Sequence, residues 1–179
     1  MTVYNTTANF GFALPSGGND LSVDVGQLIS ALNAIDAALH AAASGPAFSA
    51  YASAGTAVYN ATWTKIALAT KEFDTNSNFA SSRFTPTVAG YYQLNGMVSL
   101  TGSYAQGLVG IYKNGTLCKT GNGFASATGP QYIGVSALVY FNGSTDYAEI
   151  WAYQGSGAPL TTDTGPAVTY FQGFLARSP

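Results

Sequence analysis

Between residues 21 and 43 the apolar positions are Leu21, Val25, Leu28, Leu32, Ile35, Leu39 and Ala42, at alternating spacings of 4 and 3. That alternation holds one stripe of an α-helix on one side for three heptads. It predicts a helix over 21–43, with Val25, Leu32 and Leu39 at a and Leu21, Leu28, Ile35 and Ala42 at d. Leu at a with Ile at d favours three or four strands over two. A single amphipathic helix packed on its own domain uses the same spacing, and Ile29 widens the stripe in either case. Asn19 and Asp20 are capping residues before the helix, and Ser44-Gly45-Pro46 is its expected stop.

From Ala47 onward the period changes to two, and Val, Thr, Tyr and Phe dominate. Strands are predicted over 48–53, 63–69, 91–100, 107–113, 131–142, 146–153 and 168–176. Asn114-Gly115 and Asn142-Gly143 are hairpin-turn dipeptides, because both residues tolerate positive φ. Asn95-Gly96 lies inside an apolar run and is read as a bulge. Two strands carry apolar groups on both faces. One has Ile133, Val135, Ala137, Val139 and Phe141 on one side, with Leu138 and Tyr140 on the other. The last has Val168, Tyr170 and Phe174 against Phe171 and Leu175. Such strands need cover on both sides, and another subunit is the simplest cover. The expected class is mainly β, a sandwich preceded by a short coiled-coil helix.

Residues 1–20 are polar and turn-rich, with Tyr4, Phe10, Phe12 and Leu14 interspersed. They hold too few apolar groups to fold alone and are expected to dock on a partner. The scheme is therefore a leader over 1–20, a stalk helix over 21–45 and a β head over 46–179.

Charge narrows the function. Only 8% of the 179 residues are charged, with a formal net charge of −2. Nucleic-acid binding through a basic face is excluded, since phosphate contacts need clustered Lys and Arg. No run reaches the roughly 18 apolar residues of a membrane span, so no membrane insertion is expected. Residues 1–14 lack the basic start and apolar run of a secretory signal. The single cysteine, Cys118, allows no intrachain disulfide and no cysteine metal site, and it is expected to be a small buried hydrophobe. The single histidine, His40, follows an a position and is expected to face water. Neither a cofactor nor a metal is expected: the acids of the head show one close pair, Glu72 and Asp74, where calcium wants several clustered carboxylates.

Several motifs of the head resemble the C1q-like domain of the C1q/TNF superfamily. Ala47-Phe48-Ser49-Ala50 matches that domain's start. Leu68, Asp74, Phe79, Phe84, Gly90, Tyr92 and Leu94 follow its diagnostic spacing, with Leu for Phe at 68 and 94 and two residues fewer between Phe79 and Phe84. Lys113-Asn114-Gly115 resembles its strand-ending Lys-Asn-Gly, and the stretch from Gly143 to Tyr153 its Gly-Asp-x-Val-Trp hairpin. Phe171-Gln172-Gly173-Phe174-Leu175 resembles its closing Phe-Ser-Gly-Phe-Leu. The resemblance implies a jelly-roll sandwich in a tight homotrimer, with both termini at the stalk end. The leader, with Asn9-Phe10-Gly11-Phe12-Ala13-Leu14-Pro15, is similar to the N-terminal segments of bacteriophage tail-fibre proteins.

Three loops, 102–107, 121–132 and 154–167, are rich in Gly, Ser and Thr and carry Tyr104, Phe124 and Tyr132. Rigid aromatics beside adaptable polar groups suit recognition of another surface, and sugars stack on aromatic faces. The expectation is a non-enzymatic homotrimeric fibre or spike, made in the host cytoplasm and carried on the virion. Tyr4, Phe10, Phe12 and Leu14 would attach it to a virion structural protein. Leu21, Val25, Leu28, Leu32, Ile35 and Leu39 would form its stalk. Tyr104, Phe124 and Tyr132 would touch a host polysaccharide or receptor. The alternative is a cellular C1q-like binding or scaffold protein, and a depolymerase is disfavoured by the poor supply of acids and histidine.

Overall fold

The computed structural model describes residues 20–43, 45–127 and 131–179. The chain divides into two units between Ser44 and Gly45. In the first, one α-helix, α1, runs over Leu21–Ala43. Its first turn is closed by the Asp20 carbonyl, which accepts from the amides of Val23 and Asp24. Val25, Leu28, Ile29, Leu32, Ile35 and Leu39 are all exposed along it. The side chains of Leu21 and His40, and the whole of Tyr4, Phe10, Phe12 and Leu14, lie outside what the structure describes.

The second unit is a sandwich of antiparallel sheets. Its strands are β1 Ala47–Tyr51, β2 Ala57–Val58, β3 Thr64–Lys65, β4 Thr70–Asp74, β5 Phe79–Ala80, β6 Arg83–Phe84 and β7 Gly90–Leu100. They continue as β8 Tyr104–Lys113, β9 Thr116–Thr120, β10 Phe124–Ser126, β11 Gln131–Phe141, β12 Ala148–Gln154, β13 Leu160–Thr161 and β14 Tyr170–Arg177. One sheet has the order β11-β7-β14-β1-β4. The other runs β10-β8-β12-β6-β5, with β9 beside β8 and β3 beside β12, and β2 pairs β13 as a separate ribbon.

Alternation explains what lies between the sheets. Along β11, Ile133, Val135, Val139 and Phe141 point inward and are buried, while Gly134, Ser136, Leu138 and Tyr140 point outward. From β7, Tyr92, Leu94 and Val98 meet them, and from the facing sheet Val109, Ile111, Ile150 and Ala152. One end of the core is aromatic. The Phe48 ring stacks on Phe84 at 4.2 Å and on Phe79 at 5.1 Å, and Phe84 and Tyr92 both meet Phe141 edge-on.

The spaced motif of the sequence is this core. Leu68, Phe79, Phe84, Tyr92 and Leu94 are all buried. The Tyr92 hydroxyl escapes an unpaired burial by donating to the Val88 carbonyl at 2.8 Å. The shortened spacing between Phe79 and Phe84 is a tight β5–β6 hairpin, with Ser81 and Ser82 at positive φ. Gly173 sits opposite Phe48, and a Cβ there would press on Leu94 and on the Gln93 carbonyl.

Four expectations are corrected. Asn95-Gly96 is not a bulge: β7 pairs β11 in unbroken register across it. A Cβ at Gly96 would fall on the terminal methyl of Ile150, which would have to move. Asn142-Gly143 joins strands of different sheets, so it is a crossover turn and not a hairpin. There Asn142 Oδ1 accepts from the amides of Ser144, Thr145 and Asp146, an Asx turn. The stretch 63–69 is strand only at Thr64–Lys65. Cys118 lies on β9, whose residues are all exposed. Asn114-Gly115 does turn β8 into β9, both residues at positive φ.

Candidate functional site

The outer face of the first sheet exposes large apolar side chains. Its rows follow the register: Tyr140 opposite Tyr91, Leu138 opposite Gln93, Ser136 opposite Asn95, and Tyr132 opposite Ser99. On the far side of β7, Phe174 lies opposite Gln93, Gln172 opposite Asn95 and Tyr170 opposite Met97. Tyr91, Tyr132, Leu138, Tyr140 and Phe174, with Phe73 of β4, are between 41 and 57% exposed. Tyr91 and Tyr140 form an aromatic pair at 5.3 Å. The middle of the face is polar. Gln93 Nε2 donates to Ser136 Oγ at 2.9 Å, and Ser136 Oγ donates to Asn95 Oδ1 at 2.8 Å. Beside this layer a groove of about 450 Å³ is bounded by Asn95, Met97, Asn122, Ser136 and Tyr170.

The three aromatics singled out in the sequence are not brought together. Tyr104 opens β8 instead of lying in a loop, and at 3% exposure it belongs to the core. Its ring packs against Gly107 and beside Ile133, and burial raises its hydroxyl pKa. Phe124 is exposed on β10, opposite Gly107. Tyr132 is exposed too, on the outward face of the first sheet just described.

The sequence reading missed the outer face of the second sheet. Both tryptophans of the chain are there, Trp63 and Trp151. On β12 the outward residues are Glu149, Trp151 and Tyr153; on the paired β8 they are Tyr112, Gly110 and Leu108. Tyr112 stacks on Trp151 at 4.6 Å and 23°. The Trp63 ring lies over Gly110, where a Cβ would meet it at 3.2 Å, and it meets Tyr112 and Tyr153 at 5.7 Å each. All four rings are half-buried. Glu149 is 2% exposed at the edge of this group. Its Oε1 accepts from Lys65 Nζ at 2.7 Å and Arg83 Nε at 2.9 Å, and its Oε2 from Trp151 Nε1 at 3.1 Å. Burial alone would raise its pKa; Lys65, Arg83 and Trp151 outweigh that and hold it below the usual glutamate value. The Arg83 guanidinium also covers the Tyr147 ring at 3.7 Å.

The other carboxylates of the head serve the fold. Asp74 accepts from the amides of Asn78 and Phe79 and from Lys71. Asp146 accepts from Lys113, from Asn114 Nδ2 and from the Asn142 amide. Asp163 accepts from Ser99 Oγ and Glu72 from Ser49 Oγ. Among the described residues no three of His, Cys, Asp and Glu gather as metal ligands, and no helix is long and apolar enough to cross a membrane.

No protein-family model matches the chain, and no curated protein matches it. Solved structures do. The globular domain of the zebrafish complement 1qA protein superposes with a TM-score of 0.57 at 18% identity, over 75% of this chain and 99% of that one. Murine APRIL gives 0.59 at 7% identity, over 73% and 98%. The PRD1 vertex protein P5 gives 0.54 at 14% identity, over 74% and 97%. At these identities the likeness shows the fold: a mainly β sandwich of the C1q/TNF type.

Proposed function

We propose that the chain is a fibre or spike subunit of a phage particle. In this reading it assembles as a homotrimer, attaches through residues 1–20 and recognises the host surface with its head. The observation that carries the reading is the outer face of the first sheet. Tyr91, Leu138, Tyr140 and Phe174 lie together there at 41–54% exposure on a single copy, a grouped apolar patch of the kind that marks a contact with another protein. The exposed stripe of α1, Val25, Leu28, Leu32, Ile35 and Leu39, asks for the same kind of cover. The fold shared with a phage vertex protein supports a place on a virion.

In this reading the head is non-catalytic. Its carboxylates are engaged in turns, ion pairs and serine hydrogen bonds, and its role is adhesion, in which weak sites gain strength by acting together. Tyr4, Phe10, Phe12 and Leu14 serve as the anchor to a virion structural protein. Phe124 stays available at the surface for host contact, whereas Tyr132 lies on the face assigned to neighbouring copies. The direct experiment is competition: purified protein in excess, added to host cells, should block adsorption of the particles. Undiminished adsorption at saturating protein would overturn the host-binding role.

A further inference from the structure

We propose that the outer face of the second sheet, around Trp63, Tyr112, Trp151 and Tyr153, is a binding site for acidic sugar residues of a polysaccharide. The site rests on the reading of the head as a recognition element, but it is carried by its own geometry. If copies cover the first sheet, the second sheet keeps the free face. That face is where the chain spends both of its tryptophans. The four rings are half-buried, neither in the core nor standing free. Trp63 is held over the bare backbone of Gly110, and Trp151 is fixed at both ends, stacked on Tyr112 and bonded through Nε1 to Glu149. Rings immobilised in this way lose little conformational freedom when a ligand covers them. A pyranose offers such rings its C–H face.

The charge at the edge selects the kind of sugar. Lys65 lies directly opposite Trp151 in the β3–β12 pair, so it shares the outward face. Lys65 and Arg83 supply two positive charges against the one of Glu149, whose oxygens already accept three bonds. One positive charge is left over. The side chains of Lys65 and Arg83 are 31% and 42% exposed, so an incoming group can reach them. A carboxylate on a sugar ring uses that surplus; a neutral sugar does not. A nucleic acid is a poor fit, because a phosphate track needs a row of cations and only two stand here. Single-site affinity should be weak, since one exposed charge is strongly screened by salt.

Trp63 and Trp151 are the chain's two tryptophans, so intrinsic emission reports on this surface. The full chain should be titrated with oligogalacturonate, and with maltooligosaccharide of equal length as the neutral control. The expected result is a saturable emission change with oligogalacturonate, about tenfold tighter than with the neutral sugar and weakened by added salt. Trp63→Ala removes a half-buried ring outside the core. Calorimetry should show it binding about tenfold more weakly, ~1.4 kcal/mol, with an unchanged circular dichroism spectrum. Arg83→Gln leaves Lys65 on Glu149 and should erase the preference for the acidic sugar. No emission change with either sugar would overturn the site, as would equal response to both or full binding by Trp63→Ala. A protein that fails these tests but still blocks particle adsorption would lose the site and keep the host-binding role.

Discussion

Asp74 shows how a single residue of the spaced motif acts. Its carboxylate is 4% exposed and ties the turn after β4 through the amides of Asn78 and Phe79 and through Lys71. Burial works to raise its pKa, but those donors win and hold it below the usual aspartate value. Asp74→Ala leaves the amides unpaired, and chemical denaturation should show a loss of about 2 kcal/mol. Gly173 acts by absence of a side chain, since a Cβ would come within 2.8 Å of the Gln93 carbonyl and 2.6 Å of Leu94. Gly173→Ala should destabilise by about 1–3 kcal/mol.

The titrating groups set the pH range. Asp74, Asp146 and Glu149 are all held below their ordinary values. Each therefore adds stability that is complete above the unfolded carboxylate range, near pH ~4, and is lost as pH falls through the lower folded value. Tyr92 is pushed by burial up to about 12. Its raised value adds stability that is complete below the unfolded tyrosine value of ~10 and is lost as pH rises toward the folded one. The one histidine, His40, lies outside 45–179. The melting temperature of the sandwich should thus be flat from pH ~5.5 to ~8 and fall beyond pH ~4 and ~10. A midpoint change near pH 6.5, where only a histidine titrates unaided, would contradict this.

At the scale of elements, long alternating strands were legible and short ones were not. The outward and inward sets of β11 follow from period two alone, because eleven residues give the pattern room. Strands of two residues such as β3, β5 and β6 carry no period. The pairing of β3 is set by a partner far along the chain, where Lys65 meets Trp151. The tryptophan surface was hidden for the same reason. It joins β8, β12 and the residue before β3, and along β12 apolar residues fill both faces, with Ala148, Ile150 and Ala152 inward and Trp151 and Tyr153 outward. Such a strand reads as buried on both sides. Asn95-Gly96 misled in the opposite direction, since this turn dipeptide is held mid-strand by pairing with β11 on one side and β14 on the other. The helix, by contrast, runs over the residues its heptads mark.

In the whole molecule, the proposed reading gives attachment to residues 1–20 and recognition to the head. Phe10→Ala with Phe12→Ala should leave a soluble protein that still binds host cells yet is missing from purified particles. Burying each of these side chains is worth roughly 1.5–3 kcal/mol. Phe124→Ala should have the reverse effect, leaving incorporation intact and weakening cell binding. If the leader variant loses cell binding instead, the two ends of the molecule have been assigned the wrong way round.

Assembly through the first sheet is the claim on which the rest depends, and the mass in solution tests it most directly. Light scattering on the full chain should give three times 18.4 kDa. Leu138 stands 54% exposed beside the Tyr91–Tyr140 pair. Leu138→Asp would bury a charge without a partner in the assembled face, and should shift the mass toward a single chain while the β-sheet circular dichroism is unchanged. A monomer or dimer mass for the unaltered chain, or a Leu138→Asp variant that keeps the full trimer mass, would contradict the account.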